Sequence, residues 1–300
     1  MKVRIGPINA ATPTPLLPDR SFDYGSGKRL CQRWVDVGLD GVLILGSMGE
    51  GLLLAEQART AFVEQALSEI GDRLTIFVSA ADYTSENMRR RALQYSAMGA
   101  HAVVLSAPVG AAPQDALEQV LKVCDACPAP CVYYEVPPVT GVALSAEQIA
   151  TILAHPNVCA FKDSSNNPLL TQVLTAPDRQ RNGVQFLDGV EYRVSLSSYF
   201  GYDGVIHGGG VLTARLVRSI WEKVQQGPTA EARELDRQNS LFLGRVYNRL
   251  AGPVQNVAGQ KYALKLMGIL EHEALLVDQR LDDASRHRIA GVLAENADWL

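Results

Sequence analysis

The sequence predicts a (β/α)8 barrel, a TIM barrel, followed by a C-terminal three-helix extension. Three observations carry that prediction. Eight short apolar runs rich in β-branched residues recur at fairly even spacing as far as Gly210. Helical patterns lie between them, with short connections. None of the runs leads into a glycine-rich dinucleotide turn, which argues against an open doubly wound sheet.

The runs are INAATPTPL (8–16), DGVLILGS (40–47), LTIFVSAA (74–81), AHAVVLSAP (100–108), PCVYYEVP (130–137), VCAFKDSS (158–165), VQFLDGV (184–190) and DGVIHGGG (203–210). Most are nearly continuous in apolar residues, as strands buried on both faces must be. Between them, EQARTAFVEQALSEIG steps Ala58, Phe62, Ala66 and Ile70 along one face, and Gly71 can end the helix. SENMRRRALQYSAMG places Met88, Ala92 and Tyr95 on one stripe before Gly99. QDALEQVLKVCDA groups Leu117, Val120, Leu121 and Cys124, and SAEQIATILAHPN stops at Pro156. After about residue 225 the strands cease. Three helical patterns follow, TAEARELDRQNSLFLGRVYNRL, VAGQKYALKLMGIL and SRHRIAGVLAENADWL. The expected organisation is a barrel over 1–224 and a helical extension over 225–300.

The 300 residues carry a net charge of −4, so no basic surface calls for nucleic acid or anionic lipid. Arg89, Arg90 and Arg91 form the one compact basic run, read as a solvated helix face. No apolar run has membrane-spanning length, and the N-terminus lacks the shape of a signal peptide. A soluble, cytoplasmic protein is expected. The five cysteines are odd in number, and the Cys124-x-x-Cys127 pair lacks a fourth ligand near Cys131, so neither a disulfide framework nor a zinc site is expected. The five histidines show no ligand spacing, so no metal is predicted.

In a barrel of this kind the chemistry belongs at the C-terminal ends of the strands. Lys162 lies near the end of the sixth run, an odd place for an ammonium unless something needs it there. Ala160 and Lys162 share a face, and the small Ala160 leaves room beneath a long amine. A lysine desolvated in a barrel gives up its proton more readily, and a neutral amine can attack a carbonyl to form a Schiff base. The plain alternative is a rim lysine paired with Asp163. Tyr134 lies near the end of the fifth run, with Val132 and Val136 on its face and Tyr133 and Glu135 on the other. A phenol beside an amine can relay protons; it can equally be a core aromatic. GSMGEG (46–51) ends the second run with two glycines around Ser47 and Met48, a turn whose amides can hold a carboxylate. HGGG (207–210) mimics an esterase oxyanion loop, but no G-x-S-x-G elbow exists. GSGK (25–28) lacks the rest of a phosphate loop.

GSMGE, YEVPPVTG and FKDSS, in this order on the second, fifth and sixth runs, resemble the dihydrodipicolinate synthase / N-acetylneuraminate lyase family. These are Schiff-base-forming barrels acting on pyruvate and other 2-oxo acids, and the likeness covers about Ile8 to Leu216 together with the three C-terminal helices. The resemblance implies Lys162 as the Schiff-base lysine, Tyr134 as proton relay, and Ser47 with the Met48 amide as carboxylate clamp. Val205 and Ile206 would line the pyruvate end. It also implies that no metal or organic cofactor is needed, and that the chain forms a homotetramer. Four departures bear on the substrate. Met48 replaces the clamp's second hydroxyl. Glu135 replaces the family's usual asparagine. Val139 stands where the synthases carry an arginine for the second substrate's carboxylate. SAPVGAAP has no tyrosine where the synthases use one from a neighbouring subunit. Glu191 falls where the sialic acid lyases set an acid against sugar hydroxyls. The expectation is therefore a lyase, aldolase or dehydratase, cleaving a hydroxylated 2-oxo sugar acid to release pyruvate. The alternatives are a low-turnover 2-oxo-acid sensor and 4-hydroxy-tetrahydrodipicolinate synthase proper.

Overall fold

A computed structural model of the chain describes residues 3–177, 180–227, 229–247 and 256–300. Eight parallel strands close into a barrel in chain order: β1 (Ile8–Ala11), β2 (Gly41–Ile44), β3 (Thr75–Ser79), β4 (Ala102–Ser106), β5 (Cys131–Glu135), β6 (Val158–Asp163), β7 (Gln185–Asp188) and β8 (Gly204–His207). β8 pairs back onto β1 through Ile8 and Val205. The eight predicted runs are these strands, with their tails forming the loops.

Alternation along each strand splits the apolar residues into two layers. Inside the barrel lie Leu43, Phe77, Val104, Val132, Leu187 and Ile206. On the outer face Ile8, Val42, Ile76, Val103, Phe161 and Phe186 pack against the helices. A strand buried on both faces has no polar side, which is why these runs read as continuously apolar.

The helices α1 (Tyr24–Asp36), α2 (Glu56–Ile70), α3 (Ser85–Met98), α4 (Pro113–Ala126), α5 (Pro137–Thr140), α6 (Ala146–Leu153), α7 (Pro168–Thr175), α8 (Val194–Ser197) and α9 (Gly210–Val224) surround the strands. Local chemistry sets several of their ends. Asp23 accepts from the Ser26 amide at the start of α1, and Ser145 and Gln148 form a reciprocal capping box on α6. Gly99 ends α3 in the left-handed region, with φ 95°. Beyond the barrel come α10 (Ala230–Val246), α11 (Val257–Leu266) and α12 (Asp283–Glu295), with a short 3₁₀ turn at Ala297–Trp299. These match the three predicted helical patterns; residues 248–250, the end of the first, lie outside the described residues.

The basic run departs from its expected solvated face. Arg89 and Arg90 are exposed, but Arg91 is buried and bonds to Asp82 and Glu56. It lies on the inward stripe of α3 with Met88 and Tyr95, where an arginine needs acidic partners. All five cysteines are buried and none forms a disulfide. No helix among the described residues is long and apolar enough to cross a membrane.

Candidate active site

The C-terminal ends of β2, β3, β4 and β5 line one cavity, and Lys162 near the end of β6 stands beside it over the Tyr134 ring. Lys162 is paired in register with Tyr134 on the neighbouring strand, so both side chains enter the barrel at one level. Lys162 Nζ sits 4.0 Å from the centroid of the Tyr134 ring. The lysine is only 3% exposed, and among the described residues no carboxylate lies within ion-pair distance of it. Ala160 is inward-facing directly below.

The rim-pairing alternative fails on Asp163. That carboxylate points outward and is fully buried. It accepts from Tyr202 (2.7 Å), from the amide and hydroxyl of Ser165 (2.8 and 2.7 Å) and from Thr171 (3.3 Å). Gly189 makes space on the other side of the lysine. A methyl group there would fall 3.2 Å from Lys162 Cε and 2.0 Å from Ser164 Oγ.

The turn after β2 is tightly wound. Leu45 and Glu50 adopt left-handed backbone angles, φ 58° and 54°, and a side chain on Gly51 would lie 1.7 Å from the Leu45 carbonyl oxygen. Such conformations cost on the order of 1–2 kcal/mol each and persist only where the surroundings impose them. Here a buried ion pair does so. Lys261 of α11 donates to Glu50 Oε2 and to the Ala274 carbonyl (2.7 Å), while the Leu276 amide donates to Glu50 Oε1 (2.7 Å). The effect is to present Ser47 at the cavity, with Met48 next to it. Among the described residues neither of their amides has an acceptor, which leaves both N–H groups available to an anion.

The remaining predicted residues divide. Ile206 faces inward with Tyr134 and Val132. Val205 does not; it belongs to the outer layer, packed with the helices. Neighbouring side chains on a strand point to opposite faces, so the pair could not both line the pyruvate end. Val139, on α5, borders the cavity. Met48 packs between the inner and outer layers, its thioether against Gly208, where an added methyl would fall 3.1 Å from the sulfur.

Glu191 is buried rather than solvated at a rim. Its Oε2 accepts from the Gly209 amide at 2.6 Å and from the Tyr247 hydroxyl at 2.9 Å, and Asn239 holds its backbone carbonyl. Burial pushes its carboxyl above the ordinary range, opposed by those two donors and by the nearby charge of Lys162.

Sequence reasoning missed four residues. Lys261 and Tyr247 come from the C-terminal extension, and nothing in their local sequence points to the barrel. His207 was set aside with a false motif, yet it is buried close enough to Lys162 to feel its charge. Desolvation first, then Lys162 and Arg193, push its imidazole down to about 3, so it stays neutral. Gly189 had a readable signal: a lone glycine directly after a strand, beside a long amine.

A cavity of about 560 Å³, including its open mouth, connects Ser47 and Tyr134 to the exterior. The site thus combines a lysine without a nearby carboxylate, a phenol in register beside it and a turn with unspent amides. The sequence profile of the dihydrodipicolinate synthetase family matches residues 5–279. The chain belongs to this family. Its members are aldolase-type, pyruvate-dependent lyases and synthases, and this chain is an enzyme of that kind. It is 27% identical over 267 residues to a 4-hydroxy-tetrahydrodipicolinate synthase of Mycolicibacterium gilvum, a match covering 88% of this chain and 85% of the relative. A synthase of the same name from Streptomyces coelicolor is 27% identical, with 94% and 90% covered. The crystal structure of a putative dihydrodipicolinate synthetase from Pseudomonas aeruginosa superimposes with a TM-score of 0.87 at 25% identity, covering 98% of this chain and 99% of that one. CdNal from Clostridium difficile, in complex with mannosamine, shares the fold at 15% identity and a TM-score of 0.87, with 98% and 99% covered.

Proposed function

We propose that Lys162 is the imine-forming lysine of a carbon–carbon lyase acting on a 2-oxo acid, with pyruvate as the common fragment. The observation that carries this is the placement of the amine: buried, without a carboxylate, over the Tyr134 ring. The substrate carboxylate is held by the Ser47 hydroxyl and the Met48 amide. The Lys162 amine adds to the ketone, and Tyr134 gives up the proton with which the carbinolamine hydroxyl leaves as water, so the imine is formed protonated and Tyr134 is left able to accept a proton. In cleavage, the 4-hydroxyl gives its proton to Tyr134, the C3–C4 bond breaks, and its electrons pass into the imine as an enamine. An aldehyde departs. Protonation at C3 and addition of water then release pyruvate and the free amine. Condensation is the same path reversed; loss of the 4-hydroxyl as water would start from the same imine but remove a C3 proton instead of breaking C3–C4.

The sugar-acid reading rests on Glu191, one of whose oxygens is already spent on Gly209 and Tyr247. The synthase reading is carried by the names of the relatives. It lacks a cation at Val139, where the second substrate's carboxylate would bind. Homotetramer formation is supported by apolar side chains left exposed on and near α7 and α8: Leu169 is 72%, Leu196 46% and Tyr199 80% exposed. Multi-angle light scattering tests that assembly. A screen of 4-hydroxy-2-oxo acids and 2-keto-3-deoxy sugar acids, reading released pyruvate and dehydration separately, tests the reaction. Pyruvate release that disappears in Lys162→Met supports the reading; release that survives that substitution overturns it.

A further inference from the structure

We propose that Cys127 and Cys131 are a redox-active thiol pair, oxidised to a disulfide by a hydroperoxide. The pair lies at the N-terminal end of the barrel, opposite the end that holds Lys162, and is independent of the Schiff-base reading. Cys127 caps the C-terminus of α4 and Cys131 is the first residue of β5, with Pro128, Ala129 and Pro130 between them.

One side chain gathers this bend. Asn157 Nδ2 lies 2.8 Å from the Cys127 carbonyl, 3.1 Å from that of Ala129 and 3.2 Å from that of Cys124, and 3.5 Å from Cys131 Sγ. The Cys131 thiol there meets the thiols of both Cys124 and Cys127. Ser96 Oγ lies 3.5 Å from Cys127 Sγ and accepts from the Ala129 amide at 3.2 Å. Among the described residues no group of three such side chains is arranged to hold a metal ion, which leaves thiol chemistry to the cluster. A cysteine buried in apolar surroundings is inert, because desolvation disfavours the thiolate. Cys31 is of that kind: burial pushes its thiol up to about 12. Cys127 departs from it. Contact with the Cys131 thiol first, then with Ser96 and the Ala129 amide, holds its thiol below the ordinary range against its burial. It is also the most exposed of the three, 6% against 2% for Cys124 and 0% for Cys131, and the adjoining Pro128 is exposed.

Cys127 is therefore the attacking sulfur and Cys131 the resolving one. The Cys127 thiolate attacks one oxygen of hydrogen peroxide, the O–O bond breaks, and the departing hydroxide takes a proton to leave as water. Cys127 is then a sulfenic acid. The Cys131 sulfur attacks the Cys127 sulfur, the S–S bond forms and the S–O bond breaks. The second hydroxide leaves as water with the proton of the Cys131 thiol. The two thiols supply the two electrons that the peroxide takes up, and Cys124 stays a thiol.

The test treats the folded, reduced protein with hydrogen peroxide, removes the peroxide, and then titrates thiols in denaturant and weighs the intact chain. Free thiols are expected to fall from five to three, with the loss of two hydrogen atoms in mass, and to return to five with dithiothreitol. Fragment spectra of the oxidised chain should lack backbone cleavage between Cys127 and Cys131. Cys31→Ser should show the same loss, from four thiols to two, whereas Cys131→Ser should keep its four. Retention of five thiols by the unaltered protein would overturn the proposal. So would a gain of oxygen in place of the loss of hydrogen, or a disulfide joining any other cysteines. The count, mass and fragments of the unaltered protein decide the matter even if Cys131→Ser fails to fold.

Discussion

Lys162 and Lys261 are both buried, 3% and 0% exposed, yet their surroundings are opposite. Lys261 has a carboxylate, Glu50, and a backbone carbonyl, Ala274, as acceptors. Burial draws its ammonium below the ordinary lysine range while Glu50 pulls it back. Lys162 has an aromatic face, small Ala160 beneath it, and neighbouring acids turned elsewhere. Asp163 is spent on Tyr202, Ser165 and Thr171, and Asp188 on both sides of the Arg193 guanidinium, at 2.9 and 3.1 Å. Glu191 likewise spends one oxygen on the Gly209 amide and the Tyr247 hydroxyl, so among the described residues no carboxylate pairs with Lys162. Burial by itself therefore does not distinguish the two lysines; the partners do. Lys261 secures the turn after β2 to the C-terminal helices, and Lys162 has no such acid partner among the described residues.

Substitutions that sharpen this contrast differ in size and in readout. Lys162→Met should abolish turnover, by at least ~10³-fold, because no other amine is in place to form the imine. It should leave melting temperature unchanged or slightly raised, since the new side chain is apolar and of similar length. Tyr134→Phe should lower kcat by about 10²- to 10⁴-fold while pyruvate binding changes little, which steady-state kinetics would separate.

Lys261→Met should instead strand the Glu50 carboxylate. A broken buried pair costs about 3–5 kcal/mol, which denaturant titration would read. Adding Glu50→Gln should recover part of that loss, and this recovery would show that the cost is an unpaired charge rather than a cavity.

The smallest expected effect concerns Glu135, on the outer face of β5. Burial pushes its carboxyl up to about 7, against hydrogen bonds from the Tyr133 hydroxyl (2.6 Å) and the Leu144 amide (3.1 Å), with the charge of Asp163 adding to the rise. The folded state therefore holds this proton more tightly than the unfolded chain does. Stability should fall as pH rises from about 4.5 to 7 and then level off. Relative to the parent, Glu135→Gln should gain on the order of 1–3 kcal/mol between pH 5 and pH 8. Denaturant midpoints of the two proteins over that range check the difference, and parallel curves would contradict it.

The barrel was legible because each strand is buried on both faces, so its run is apolar throughout, and because capping residues such as Asp23 and Ser145 act locally. Lys162 was legible for the opposite reason: a charge interrupting such a run is conspicuous. Tyr134 followed from strand adjacency, which the register bears out. What could not be read came from distance along the chain. Glu50 finds Lys261 across 211 residues, and Glu191 finds Tyr247 across 56. No local pattern encodes either meeting. Val205 failed because a family role was extended to two consecutive residues, and a strand turns only one of them inward. Arg91 failed because a basic run was read as one surface, whereas a helix turns its third member about 200° from the first.

The most direct measurement is borohydride reduction of the enzyme in the presence of pyruvate, followed by peptide mass mapping. The account predicts an N-carboxyethyl group on Lys162, none on Lys261, and no incorporation in Lys162→Met. A protein that turns over a 2-oxo acid yet carries no label on Lys162, or carries it on another lysine, would contradict it.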